Sequence, residues 1–81
     1  MLLVIEVAET SVRLDLVRKA RIYAAAGVPT YWVVDLGRDL VHVHTEPTAD
    51  GYASVTQHGP DDSLDAHGVT VTLRELLDRA S

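Results

Sequence analysis

The chain has 81 residues, a net charge of −5 at pH 7 and no cysteine. Its length predicts one small domain over residues 1–81, and its composition argues against disulfides, thiolate metal sites and a membrane span. The acidic surface also argues against a plain nucleic-acid-binding module, but not against a nuclease, because a bound divalent cation supplies positive charge locally.

The first predicted element is a strand over residues 2–8, which read LLVIEVA. Every residue except Glu6 is apolar, a pattern typical of a strand covered on both faces in a parallel sheet. The basic stretch that opens a secretory signal is missing from this start. We therefore predict a core strand, no membrane association and a cytoplasmic protein.

A helix of about fourteen residues is predicted next, close to the usual length of a helix in a globular protein. Thr10 and Ser11 are its candidate N-cap residues, and Glu9 lies near the positive end of the helix dipole. Its apolar arc, predicted to lie on the sheet, comprises Val12, Leu16, Val17, Ala20, Tyr23 and Ala24. The opposite side of the helical wheel carries Arg18, Arg21 and Ala25. Gly27, in a left-handed conformation, and Pro29 end the helix.

The stretch TYWVVD at residues 30–35 predicts a second buried strand, because aromatic and β-branched residues favour sheets. A strand, a helix and a strand joined by short links form a βαβ unit, in which the two strands pair in parallel. The first half of the sequence therefore predicts an α/β fold.

The second half predicts antiparallel structure. Residues 40–45 and 51–57 alternate like hairpin strands and are joined through Pro47 and an Asp50–Gly51 turn. HGPDDS then predicts a loop, and residues 68–72 a short edge strand. A capping box of Thr72 and Glu75 begins a last helix, whose apolar residues are Leu73, Leu76 and Leu77.

Glu6 is the most informative residue of the sequence. Burial of an unpaired carboxylate in a strand lowers the stability of a fold by roughly several kcal/mol. Glu6 either lies near a strand end, bonded to water or an arginine, or binds a hard cation such as magnesium. Lys19 is the only lysine, and it borders the helical arc that meets the sheet. It can reach Glu6, or form an ordinary i, i+4 pair with Asp15, and the two are compatible.

His42 and His44 of the HVH stretch point to one face of their strand, a spacing that could hold zinc. No cysteine or third histidine is predicted nearby, and His58 and His67 lie in loops. Tyr31 and Trp32 are expected to pack in the core. A zinc protein therefore ranks third among the hypotheses.

Three segments, VIEVAETS, DLVRK and YAAAGVPTYWVVDL, together resemble the putative restriction endonuclease family, which is similar in fold to the PD-(D/E)XK nucleases. The resemblance implies a restriction endonuclease-like mixed sheet with a βαβ crossover, a hairpin and a C-terminal helix. It implies Glu6 as the acid that binds Mg²⁺ or Mn²⁺, with the Val7 carbonyl as a further ligand. The motif's lysine position holds Ala8, and the resemblance implies that Lys19 takes its role.

The family pattern also has an aspartate shortly before this strand, where this chain has Met1. The sequence therefore resembles the C-terminal half of the family domain, with weak metal binding and an exposed sheet edge. The first hypothesis is a metal-dependent endonuclease that hydrolyses DNA through Glu6 and Lys19. The second is a noncatalytic remnant that forms a homo-oligomer through that edge.

Overall fold

A computed structural model describes residues 3–8, 13–66 and 68–80, except for the side chains of 13–15, 66 and 80. The helices are α1 (Arg13–Ala25) and α2 (Leu73–Ala80). The strands are β1 (Leu3–Ala8), β2 (Thr30–Asp35), β3 (Leu40–Thr48), β4 (Gly51–His58), β5 (Ser63–Ala66) and β6 (Val69–Thr72). No helix in these ranges is long and apolar enough to cross a bilayer.

Four strands form a mixed sheet in the order β1-β2-β3-β4. The β1 and β2 strands pair in parallel across the α1 crossover, which confirms the predicted βαβ unit. The β3 and β4 strands form the predicted antiparallel hairpin, each extending slightly beyond its predicted range. The structure is therefore a mixed α/β fold, with β1 at one edge of the sheet.

A second, two-stranded sheet pairs β5 with β6 in antiparallel fashion. The sequence pattern predicts β6 but not β5, because β5 has the sequence SLDA, in which Leu64 is the one large apolar residue. Such a segment has no alternation long enough to indicate a strand. The β5 strand therefore depends on its pairing with β6.

The main core lies on one face of the four-stranded sheet, between that face and α2. Its buried residues are Trp32, Val34, Val41, Leu73 and Leu77. Because successive strand residues point to opposite faces, Tyr31 and Val33 lie on the other face, which α1 covers. Both residues are buried there, as is Ala24 of α1. The candidate site lies on this α1 face.

The prediction that β1 is covered on both faces is wrong. Ile5 is 44% exposed and Val7 is 52% exposed, although both are apolar. They point to the α2 side of the sheet, opposite Glu6, and β1 has a paired neighbour on one side only within the described ranges. An apolar run therefore predicted the strand correctly but not what covers it.

The inner face of α1 largely follows the prediction. Leu16, Ala20 and Tyr23 face the sheet at least in part, and Arg18 and Arg21 are exposed. Val17 was predicted to face inward but is 47% exposed. It lies about 100° from Leu16 around the helix, so the sheet contacts a narrower arc than the apolar pattern indicated.

The end of α1 matches the prediction at Gly27, whose φ is +79°. Its N–H donates to the carbonyl of Ala24 at 2.9 Å, and Val28 N–H donates to the carbonyl of Tyr23 at 3.0 Å. These two bonds form a Schellman motif, which satisfies the last carbonyls of the helix. The motif fixes the last turn of α1, which carries Tyr23.

Several predictions concern residues outside the described ranges. They are the strand residue Leu2, the helix-start residues Glu9, Thr10, Ser11 and Val12, and the loop residue His67. The proposed pair between Asp15 and Lys19 belongs with them, because the Asp15 side chain is not described. The interpretation of the chain as half of a family domain likewise stays a prediction.

Candidate active site

Glu6 lies in the middle of β1 and points to the α1 face of the sheet. Its side chain is 21% exposed, so it is largely buried but still accessible to solvent. In the parallel ladder it pairs with Val33, which is buried on the same face. A carboxylate in this position requires nearby hydrogen-bond donors.

Three donors contact the two oxygens of Glu6. Lys19 Nζ lies 3.1 Å from Oε2. The Tyr23 hydroxyl donates to Oε1 at 2.8 Å, and the Tyr31 hydroxyl donates to Oε2 at 3.4 Å. The predicted convergence of Glu6 and Lys19 is thus confirmed, and each carboxylate oxygen has at least one donor.

The local sequence explains why these donors meet. Lys19 and Tyr23 are four residues apart on α1, so they lie one above the other on the same side of the helix. Tyr31 begins the buried part of β2, and its ladder partner Val4 is two residues from Glu6 on the same face of β1. The rings of Tyr23 and Tyr31 lie 5.0 Å apart, which fixes both hydroxyls close to the carboxylate.

The hydrogen bond to Glu6 raises the pKa of Tyr23 above its ordinary value of 10.0. Desolvation and the negative charge of Glu6 raise this pKa further, while the positive charge of Lys19 lowers it. Tyr23 is therefore protonated at neutral pH, as a donor to Oε1 must be.

An aromatic cluster continues from Tyr31 toward the hairpin. The Tyr31 ring lies 5.0 Å from the His44 ring and 6.2 Å from the Tyr52 ring. The Tyr52 hydroxyl donates to the carbonyl of Val28 at 2.8 Å, which ties β4 to the loop after α1. Burial raises the pKa of Tyr52, with a smaller contribution from Tyr23. The cluster forms a continuous support between Glu6 and the hairpin.

His44 is a neutral member of this cluster at pH 7. Desolvation lowers its pKa below the ordinary value of 6.5, and its bond to the Tyr31 carbonyl acts in the opposite direction. Nδ1 lies 3.0 Å from that carbonyl oxygen, which only accepts hydrogen bonds. Nδ1 therefore carries the proton of the neutral ring, and Nε2 is left as an acceptor.

The hypothesis of a zinc site at HVH is not favoured by the surroundings of the two histidines. His42 and His44 point to one face, as predicted, but one ring nitrogen of each already has another partner. His42 Nε2 lies 3.1 Å from Oδ2 of Asp35. The other carboxylate oxygen of Asp35, Oδ1, accepts a hydrogen bond from the backbone N–H of Arg38. Among the described residues, no three His, Cys, Asp or Glu side chains form a group that could hold a metal.

The fit of a magnesium ion depends on which oxygens can be ligands. A carboxylate has about four lone-pair positions, and the three donors occupy three of those on Glu6. The Ala8 carbonyl accepts a bond from Leu36 N–H toward β2. Because carbonyls alternate in direction along a strand, the Val7 carbonyl points to the open edge. The Glu6 carboxylate thus keeps about one lone-pair position without a donor, and magnesium usually keeps several waters and binds few protein ligands.

The two tyrosine donors do not follow from the sequence pattern. Pattern alone assigns Tyr23 and Tyr31 to packing, which the buried ring of Tyr31 and the half-buried ring of Tyr23 also do. A signal for their second role was present, because the chain has three tyrosines and no phenylalanine. Where aromatic packing alone is needed, phenylalanine serves as well as tyrosine. The tyrosine hydroxyl is needed only where it has a hydrogen-bond partner.

The sequence model of the Uma2 family, described as "Putative restriction endonuclease", matches residues 1–77. The chain belongs to the Uma2 family. Its mixed sheet, hairpin and two helices are consistent with a small restriction endonuclease-like fold. No curated protein and no solved structure matches the chain.

Proposed function

We propose that the chain is a metal-dependent nuclease that hydrolyses phosphodiester bonds in DNA at Glu6 and Lys19. The observation that carries the proposal is the 3.1 Å contact between these two residues, inside a chain of the Uma2 family. A nuclease needs a carboxylate to hold a cation and a positive group to hold the substrate or the attacking water. Glu6 and Lys19 have these chemical properties.

In the proposed site, Glu6 and the Val7 carbonyl would hold Mg²⁺ or Mn²⁺. When bound, the ion supplies a more acidic water and positive charge that balances the charge developing on phosphorus. Tyr23 and Tyr31 hold the Glu6 carboxylate in one orientation through their hydroxyls. Few protein ligands imply weak binding, and millimolar metal is therefore the condition under which to look for activity.

Lys19 would act on the substrate side of the same carboxylate. Its side chain is 41% exposed, so its ammonium borders both Glu6 and solvent. An ammonium has three donor hydrogens, and it can bind Glu6 while it orients a water or donates to a phosphate oxygen. Attack of that water on phosphorus would form a new P–O bond and break the bond to the leaving oxygen of the sugar, while the water loses a proton to solvent and the leaving oxygen takes one up from solvent.

A nicking assay tests this proposal. Supercoiled plasmid and, in parallel, circular single-stranded DNA would be incubated with the protein and Mg²⁺ or Mn²⁺, comparing wild type with Glu6→Gln. The control is Glu46→Gln, which makes the same charge change at an exposed position of β3. We expect nicking by wild type and the control, and a loss of at least about 100-fold in Glu6→Gln. Equal nicking by all three proteins, or none by any, would reject catalysis at Glu6.

A second candidate function is assembly of a homo-oligomer through the β1 edge. It is favoured by the 44% and 52% exposure of Ile5 and Val7 beside backbone groups that point away from β2. A second copy that adds its own β1 strand would extend the sheet and cover both side chains. Light scattering at several concentrations tests it, and a monomeric mass throughout would reject it.

A further inference from the structure

The positive charge of this acidic chain is concentrated on α1. The helix carries four of the seven lysine and arginine residues and one of the twelve acids. Its net charge is therefore +3 in a chain whose total is −5, which leaves −8 on the remainder. This helix also provides Lys19 to Glu6, so the positive region begins at the candidate site.

Arg18 and Arg21 are exposed arginines of this helix, and they are three residues apart on its outer side. Neither contacts a carboxylate among the side chains that the structure describes, which do not include Asp15. The two arginines of α2 differ, since Arg74 binds Asp61 at 2.7 Å and Arg79 binds Glu75 at 2.8 Å. The guanidinium groups of Arg18 and Arg21 are thus available to an external anion.

Two concavities adjoin these arginines. A shallow depression of about 450 Å³ on the outer side of α1 is lined by Val17, Arg18, Arg21 and Ile22. A cleft of about 280 Å³ lies between α1 and the β3–β4 hairpin, and its hairpin side includes His44, Asp50, Tyr52 and Val55. Arg21 borders both concavities, so they form one surface that extends from α1 to the hairpin.

We infer that this surface binds a single-stranded nucleic acid, with Arg18 and Arg21 on phosphates and one unstacked base in the cleft. The inference rests on the proposed function and deepens it by assigning the substrate-binding surface. Arginine binds phosphate through paired N–H donors, and two arginines at i, i+3 can contact neighbouring phosphates. The acidic remainder of the chain repels the strand elsewhere.

The composition of the cleft is the reason to place a base there and phosphates outside. Asp50 repels a phosphate in the cleft but can accept a hydrogen bond from the N–H groups of a base. Tyr52 and neutral His44 present aromatic rings, which are the usual partners of unstacked bases. The cleft is close to the lower size limit of ligand sites, roughly 300 Å³, which suits one base. In a duplex the bases are stacked and cannot enter it.

Binding of a fluorescein-labelled single-stranded oligonucleotide, followed by anisotropy in EDTA, tests the inference without cleavage. Arg18→Ala/Arg21→Ala would be compared with Arg74→Ala/Arg79→Ala, which has the same net charge. We expect at least a tenfold loss of affinity in Arg18→Ala/Arg21→Ala, the α1 variant, and a loss of less than twofold in Arg74→Ala/Arg79→Ala, its control. The slope of log K against log salt should become less steep by about 1.4 in the α1 variant, or 0.7 for each phosphate contact.

The cleft is tested separately with Val55→Glu, whose control is Val69→Glu on β6. Both valines are exposed, so neither substitution buries a charge. We expect Val55→Glu to weaken oligonucleotide binding at least fivefold and Val69→Glu to leave it unchanged. Equal effects in the α1 variant and its control, or in the two valine variants, would overturn the inference. Competition by polyglutamate as strong as by unlabelled oligonucleotide would also overturn it, in favour of an acidic protein partner.

These outcomes separate the inference from the proposed function. If wild type cuts neither plasmid nor single-stranded DNA but binds single strands through α1, the surface assignment stands and the hydrolysis is rejected. If wild type nicks plasmid while Arg18→Ala/Arg21→Ala binds and cuts equally well, hydrolysis stands and the surface assignment is rejected.

Discussion

Lys19 Nζ lies 3.1 Å from Oε2 of Glu6, although the two residues are thirteen positions apart and belong to different elements. Glu6 is on the edge strand β1, and Lys19 is on the helix that connects this strand to its parallel neighbour. The contact therefore depends on the βαβ crossover itself. Any function of the pair is a property of the folded α1 face and not of a local motif.

Substitution of Lys19 separates catalysis from stability. We expect Lys19→Gln and Lys19→Arg each to lower single-turnover nicking by about 100-fold or more, because neither provides a compact ammonium beside Glu6. Loss of this partly exposed ion pair should cost at most about 1 kcal/mol in urea unfolding.

The control for Lys19 is Arg79→Gln, which breaks an exposed pair with Glu75 on α2. It should leave nicking unchanged. Full activity of Lys19→Arg would contradict a role specific to the ammonium group, since a guanidinium would then serve equally well.

The raised pKa of Tyr23 predicts a loss of stability in alkali. Unfolded tyrosine ionises near pH 10, whereas folded Tyr23 holds its proton to a higher pH because it donates to Glu6. The stabilisation is complete below pH 10 and is lost as the pH rises through the folded value. The free energy of unfolding, from urea titrations between pH 9 and 11, should therefore fall less in Tyr23→Phe than in wild type. Identical curves would contradict the assignment of the bond to Oε1.

His44 predicts the opposite dependence at acidic pH. Its pKa is lowered chiefly by burial, so an unfolded chain takes up a proton near pH 6.5 before the folded chain does. Stability due to neutral His44 is therefore lost as pH falls from about 6.5 toward the folded value, by at most about 1.4 kcal/mol for each pH unit.

The measurement is urea unfolding between pH 7 and 5, compared with the NMR titration of the His44 ring. His44→Asn should flatten the profile, because asparagine can still donate to the Tyr31 carbonyl but does not titrate. His58→Asn is the control in β4. A ring that titrates at or above 6.5 would contradict the prediction.

The β1 edge predicts a mutational effect on assembly. If a second copy covers Val7, then Val7→Lys should shift light-scattering mass toward the monomer, because a lysine on an edge strand opposes pairing. Val69→Lys is the matched control at an exposed valine of β6. Equal masses for wild type and both variants would contradict assembly through β1.

The parts of the fold that follow from local pattern were predictable. The Gly27 end of α1, the βαβ order and the convergence of Glu6 with Lys19 depend on periodicity and chain connectivity, which the sequence contains. The exposure of Ile5 and Val7 depends on what covers an edge, and no pattern within β1 encodes it. The bond of Tyr23 to Glu6 depends on the rotation of α1 over the sheet, and the bond of Tyr31 depends on side-chain rotamers across the β1–β2 ladder. Residue spacing alone determines neither.

Metal binding at Glu6 is the central claim, and a crystal structure grown with Mn²⁺ tests it most directly. Anomalous scattering locates the ion without reference to activity. We predict one peak in coordination contact with a Glu6 carboxylate oxygen and the Val7 carbonyl, absent in Glu6→Gln. A peak elsewhere, or a well-ordered Glu6 that keeps Lys19, Tyr23 and Tyr31 as its sole partners at saturating Mn²⁺, would contradict the account.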